Sequence, residues 1–237
     1  MKGRAFSFAD MTDALDLDDL LKRVDPDRWL SSRFIGDRLA RADVVAIYAF
    51  DHELGRAPKV ASNPLMGEIR LAWWREVLDE VYEARAVRQH PTAQALAGVI
   101  TRHDLARAPL EAMIDARLRE LDSEPMTLAE ALDWAKNTGG AAALLAAQIL
   151  DSKVKAEAAT AGGQAWSIGR LMATAGLEGE EAQTALGEAQ AQSNGLSADA
   201  FPAIAHAALS RPRAKGQAFG DLTTRTRLLW AVLTGKI

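Results

Sequence analysis

From Arg28 to Leu54 apolar residues recur at helical spacing, through Phe34, Ile35, Leu39, Val45, Ala46, Ala49 and Phe50, with no Gly or Pro after Gly36. The pattern predicts a first long helix that ends in a turn at Ala57-Pro58. Ser62-Asn63-Pro64 then offers a capping side chain and a proline suited to the first helical position. A second long helix is expected to run to about Ala86. Leu65, Ile69, Trp73, Val77 and Val81 step by four along it as an apolar face, with Glu68, Arg75, Glu76, Asp79 and Glu83 on the others.

Further helix starts follow at His90-Pro91, at Pro109 and at Thr127-Leu-Ala-Glu130, where Thr and Glu three residues apart fit a reciprocal capping box. Gly139 to Leu150 is rich in alanine, with Leu144, Leu145, Ile149 and Leu150, and small side chains let neighbouring helices approach closely. This stretch reads as a central buried helix. Ala156 to Ala175, Glu180 to Gln192, Ala198 to Leu209 and Gln217 to Thr234 complete the chain, and no segment alternates as a strand would. The prediction is an all-α chain forming a single large helical bundle over residues 27–237. Residues 1–26, with Asp10, Asp13, Asp16, Asp18 and Asp19, read as an acidic, partly flexible leader carrying one short helix near Leu15 to Val24.

Composition narrows the chemistry. A net charge of -4 over 237 residues argues against nucleic acid as a partner, since phosphate binding needs a cationic surplus. The absence of cysteine removes thiolate nucleophiles, thiolate metal sites and disulfides. His52, His90, His103 and His206 are too scattered to suggest a metal centre. No apolar run is long enough for a transmembrane segment. The expected location is therefore cytoplasmic, with at most a peripheral contact at a membrane. Arg211-Pro-Arg213-Ala-Lys215, Arg225 and Arg227 make a modest basic patch that suits an acidic membrane surface.

The motifs add a family resemblance. Arg41-Ala-Asp-Val-Val-Ala-Ile-Tyr48-Ala-Phe50 resembles the arginine and Tyr-Ala-aromatic helix of squalene and phytoene synthases. Gly67-Glu-Ile-Arg70-Leu-Ala-Trp73-Trp74-Arg75 resembles their next helix, and Trp134-Ala-Lys-Asn-Thr138-Gly139-Gly140 is similar to their central segment. Gly163-Gln-Ala-Trp-Ser-Ile-Gly-Arg170-Leu resembles the lead-in to their second metal motif. The resemblance spans roughly Asp27 to Met172 and implies the isoprenoid (terpenoid) synthase fold.

That family's chemistry uses two Asp-x-x-x-Asp motifs on facing helices, because carboxylates four residues apart share a face and can hold magnesium against a diphosphate. In the register the resemblance implies, the first pair falls on Gly55 and Lys59 and the second on Thr174 and Glu178. Only Glu178 keeps a carboxylate. Asp51 and Glu53 do not replace the pair, since residues two apart point to different faces of a helix. Phe50-Asp51-His52-Glu53-Leu-Gly55 instead resembles a non-catalytic subgroup akin to a mitochondrial complex I assembly factor. The resemblance thus implies a binding or assembly role without a cofactor, with an apolar isoprenoid-like ligand or a protein as partner. The alternative is an active prenyltransferase condensing two prenyl diphosphates with magnesium.

Each remaining candidate has a plain and a functional reading. Glu76, Asp79, Glu80 and Glu83 mimic a metal motif, but charge runs on amphipathic helices are commonly solvated faces. Trp73 and Trp74 cannot both face the core, and one is left for a groove or a partner. Asp115, Arg117, Arg119, Glu120 and Asp122 form either surface pairs or a network flanking a cavity. His52 beside Asp51 and Glu53 is either structural or an acid-base group. Arg41, Tyr48, Asp51, Glu53, Arg56, Trp73 and Arg170 are the candidate cavity or anion contacts. Arg41, Arg56, Lys59 and Arg170 could make a basic cavity mouth, or be ordinary surface charge.

Overall fold

The computed structural model describes residues 17–61, 63–217 and 219–237. The acidic stretch 1–16, Ser62 and Ala218 lie outside the described residues. The described residues are mainly helical: α1 (17–24), α2 (Pro26–Ser32), α3 (Arg38–Lys59), α4 (Pro64–Tyr82), α5 (Pro91–His103), α6 (Arg107–Leu118), α7 (Leu128–Ala135), α8 (Ala141–Leu150), α9 (Ala156–Thr174), α10 (Glu180–Gln192), α11 (Ser210–Ala214) and α12 (Asp221–Thr234). Among the described residues there is no strand, and no helix is long and apolar enough to cross a membrane.

Local sequence explains most boundaries. Asp25, Asp37 and Asn63 each accept a backbone hydrogen bond as the N-cap of α2, α3 and α4, and Pro26 and Pro64 occupy the first turn, where a missing N–H is harmless. Thr127 and Glu130 form the expected reciprocal capping box at α7. The predicted helix from Arg28 to Leu54 is divided in two. A turn at 33–37 separates α2 from α3, and Asp37 restarts the helix there. Its far end runs past the expected turn, with Pro58 inside the last turn of α3. The stretch expected as a helix over Ala198 to Leu209 forms short 3₁₀ turns at Phe201–Ala203 and Ala205–Leu209.

The central helix α3 packs against α4, α5, α6 and α8. Its inward positions, Val44, Val45, Ile47, Tyr48, Phe50 and Leu54, are almost wholly buried. Leu17 and Leu21 of α1 join this core, so this part of the acidic segment belongs to the packed body. The apolar face of α4 differs from the expected one. Leu65 and Ile69 are exposed, whereas Gly67, Leu71, Trp74, Val77 and Leu78 are buried. Both sets have helical spacing, and α4 carries apolar residues on two sides.

The alanine-rich helix α8 is buried as expected, and a π-helical turn at Lys136–Gly140 joins it to α7. Here the backbone of Gly139 lies directly against α9. A Cβ on Gly163 would fall 2.0 Å from the carbonyl oxygen of Gly139 and 2.5 Å from the Cβ of Ala143. Only glycine permits this approach, which brings α9, α8 and the π turn into one layer.

Candidate functional site

Arg28 on α2, Asp51 on α3 and Arg117 on α6 converge in the interior. Nη1 of Arg28 donates to one oxygen of Asp51 at 2.5 Å, and Nη2 of Arg117 donates to the other at 2.7 Å. All three residues are buried. Arg117 extends the chain of charges, donating from Nη1 to Glu120 at 2.6 Å, and the indole N–H of Trp134 donates to the same Glu120 oxygen at 2.9 Å. On the other side Arg28 approaches Asp25 at 3.8 Å, and Asp25 approaches the half-exposed Arg170 at 3.4 Å. Three acids and three guanidinium groups alternate, so the network balances its own charge.

Aromatic faces complete it. The guanidinium of Arg28 lies 4.9 Å from the centre of the Tyr48 ring, and that of Arg117 lies 4.9 Å from Trp134. The Tyr48 hydroxyl donates to the carbonyl of Ala203 at 2.8 Å. His206, with no solvent exposure, stands edge-on to both Tyr48 and Trp166. Its ring nitrogens and Nε of Arg28 have no hydrogen-bond partner among the described residues.

The electrostatics follow from this packing. Burial alone would raise the Asp51 carboxyl, but Arg117 and Arg28 outweigh it and hold the group well below the usual carboxylate range. Burial alone would likewise lower Arg28 and Arg117. Asp51, with Asp25 at the first and Glu120 at the second, raises both instead. His206 is pushed far down by burial, and then by Arg28 and Arg170, and is neutral at physiological pH. Burial raises the Tyr48 phenol against the opposing effect of Arg28.

The positions implied for metal motifs do not fit magnesium. Gly55 stands in α3 one turn beyond Asp51, and a Cβ built there would lie 3.3 Å from Nη1 of Arg117. The Arg117 guanidinium borders the space a side chain at 55 would enter. Lys59 and Glu178 are exposed, and the exposed Thr174 donates its hydroxyl to the carbonyl of Arg170. Asp51 has both oxygens committed to arginines, and among the described residues no group of three His, Asp or Glu side chains could hold a metal ion.

The other candidates separate. Glu53, with a mostly buried side chain, pairs with the half-exposed Arg56 at 3.0 Å and takes no part in the Asp51 network. Arg41 lies near the start of α3, where it donates to the carbonyl of Ile35. Lys59 lies eighteen residues beyond Arg41, about 27 Å along a helix, so Arg41, Arg56, Lys59 and Arg170 do not form one basic mouth. Trp73 packs against Arg88 and His90 on the half-buried side of α4, and Trp74 is the tryptophan that enters the core. His52 is half-buried and lowered mainly by that burial. The acidic run on α4 is paired with arginines: Glu76 and Glu80 with Arg88, Asp79 with Arg107, and Glu83 with Arg85. Arg75 pairs with Asp115, and Arg119 with Glu130 and Asp122.

Two surface grooves border this region. One of about 620 Å³ runs between α4 and the end of α6, lined by Pro64, Leu71, Arg75, Leu118 and Leu121. The other, of about 370 Å³, is lined by Ala112, Asp115, Arg119, Glu130 and Trp134. Neither is lined by Arg28, Tyr48 or Asp51.

Sequence reasoning missed Arg28 and His206 as central residues. The Asp25-Pro26 capping signature marks a helix start just before Arg28, but the partner of Arg28 lies on another helix 23 positions away. For His206 no local signal exists.

Fold and site together define an isoprenoid synthase fold whose inner carboxylate is held by arginine. Residues 21–177 match the squalene/phytoene synthase family, and the chain belongs to that family. Among curated proteins, the chain is 28% identical over 136 residues to the NADH dehydrogenase (ubiquinone) complex I assembly factor 6 of Bos taurus, and 27% identical to that of Homo sapiens. Each match covers 57% of this chain and 40% of the relative, so the chain spans well under half the length of these relatives. Among solved structures, a dehydrosqualene synthase in complex with ligand superposes with a TM-score of 0.74 at 12% identity, covering 95% of this chain and 96% of the other. YisP from Bacillus subtilis superposes with a TM-score of 0.64 at 16% identity, covering 92% of this chain and 96% of that one.

Proposed function

We propose that this chain is a non-catalytic member of its family, using the fold for binding or assembly, with the assembly of respiratory complex I as its process. The observation that carries this reading is the double pairing of Asp51 with Arg28 and Arg117. Ionisation of a prenyl diphosphate needs positive charge concentrated on the leaving group. Here the buried positive charge is neutralised by the protein's own acids, and Gly55 and Lys59 supply no metal ligand. The likeness to complex I assembly factors over 136 residues supports the choice of process.

On this reading the protein acts without magnesium, in the cytoplasm or against the membrane that holds the complex, through a protein partner or an apolar isoprenoid-like ligand. Deletion of its gene in a host that possesses complex I tests the proposal. Assembled complex I and NADH-driven respiration should fall, and both should return with a plasmid copy. Unchanged complex I in the deletion strain would refute the assembly role.

A further inference from the structure

The last helix, α12, carries apolar residues on two opposite sides. Thr224, Leu228 and Ala231 are buried and face the body, where α12 meets α2 and the 3₁₀ turn at Ala205–Leu209. Leu222, Leu229, Trp230 and Leu233 face away and are 76, 47, 70 and 72% exposed. At about 100° per residue these four fall within one arc of roughly 100°, centred opposite the buried side. Arg225 and Arg227 then stand at the two edges of that arc. An outward stripe of three leucines and a tryptophan gains nothing from water, and no packing among the described residues covers it.

Charge indicates what covers it. The chain as a whole is acidic, at -4. From Ile204 to Ile237, however, Asp221 is the sole acidic residue, against Arg211, Arg213, Lys215, Arg225, Arg227 and Lys236. Asp221 meets Arg225 in an exposed pair and Asp27 of α2 holds Arg213 at 2.9 Å, so Arg211, Lys215, Arg227 and Lys236 make up the positive surplus. A second copy of this face would bring like charges together. A surface that is both apolar and anionic satisfies leucine, tryptophan and flanking arginine at once, because arginine stems lie along the apolar layer while their heads reach phosphate.

We infer that α12 lies in the plane of an anionic lipid bilayer, with Leu222, Leu229, Trp230 and Leu233 inserted at the headgroup boundary and Arg225 and Arg227 on lipid phosphates. The inference does not rest on the proposed assembly role. Interfacial helices of this type depend jointly on buried apolar area and on anionic lipid.

Flotation of the purified full chain with vesicles tests it, using phosphatidylcholine alone and phosphatidylcholine mixed with phosphatidylglycerol. The full chain should float with the anionic vesicles and stay behind with the neutral ones. L229D/L233D, at exposed positions, should lose binding while keeping the wild-type circular dichroism spectrum and melting temperature. R225E/R227E should weaken partitioning by about tenfold or more. Equal binding to both vesicle types, no binding to either, or undiminished binding by L229D/L233D would each overturn the inference. So would a stable dimer in solution that L229D/L233D converts to monomer, since a second copy would then be the occupant.

Discussion

Arg117 stands against Gly55: its Nη1 lies 3.3 Å from where a Cβ at that position would be. The same guanidinium holds Asp51 from the other terminal nitrogen. A single arginine thus borders the space at position 55, where the resemblance implies a motif aspartate, and occupies one oxygen of Asp51 one turn before it. Absence of a carboxylate at 55 and presence of a buried arginine from α6 are two halves of one arrangement.

Removing the charge of Asp51 leaves two buried guanidinium groups facing each other. Asp51→Asn, nearly the same size, should lower the unfolding free energy by about 3–5 kcal/mol. Replacing the pair with apolar residues, D51L/R117M, should cost less than the two single substitutions combined, with a coupling of about 1–3 kcal/mol in a double-mutant cycle. Urea denaturation of the wild type, D51N, D51L, R117M and D51L/R117M checks both expectations. Strict additivity would mean that the pair does not act as a unit.

His206 makes stability depend on pH. Its ordinary value is 6.5, and in the fold it is well below this. The unfolded chain therefore binds a proton that the folded chain refuses. Stability is full above about pH 6.5 and is lost as the pH falls below it, at up to about 1.4 kcal/mol per pH unit. His206→Phe, which keeps an aromatic edge toward Tyr48 and Trp166, should be flatter than the wild type between pH 6.5 and 4.5 by about that slope. The lowered Asp51 acts in the same direction only nearer its ordinary value of 3.8 and below. Identical slopes in the two proteins would show that His206 is protonated in the fold.

Gly163→Ala should be among the most damaging single-methyl additions in the chain. The new Cβ meets the backbone oxygen of Gly139 at 2.0 Å, and backbone cannot move aside as a side chain end can. A loss of about 3 kcal/mol or more is expected, whereas Gly36→Ala, with no atom within 4 Å of its Cβ, should change stability little. Thermal melts of both variants make the comparison.

Restoring the acidic motif alone should not restore chemistry. In G55D/K59D the carboxylate at 55 would enter the reach of Arg117 and pair with it, instead of holding magnesium. Folded G55D/K59D should release no diphosphate from farnesyl diphosphate with magnesium. Metal-dependent turnover by this variant would show that the Arg28–Asp51–Arg117 network is no barrier.

The elements were readable where local chemistry decides them. The capping box at Thr127 and Glu130, the alanine-rich run of α8 and the span of α10 follow from residues close in sequence. The turn before Asp37 was hidden because apolar residues continue across it, and Ile35 is buried within it. On α4 two apolar stripes compete, and only packing against α3 and α6 selects Leu71, Trp74 and Leu78 over Leu65 and Ile69. Within the site, Tyr48 and Asp51 were marked by their helix, and the divergence of Asp51 from Glu53 followed from helical geometry. Arg28 and His206 were not legible, since their roles depend on contacts between distant segments.

The central claim is that the interior charges serve each other and leave no metal-assisted ionisation site. The most direct measurement incubates the folded protein with farnesyl and geranylgeranyl diphosphates and magnesium, following diphosphate release and hydrocarbon product. The arrangement around Asp51 predicts neither above the level without protein. Magnesium-dependent product that disappears in Asp51→Asn would contradict it, because Asp51 would then be serving as a ligand rather than as the counter-ion of Arg28 and Arg117.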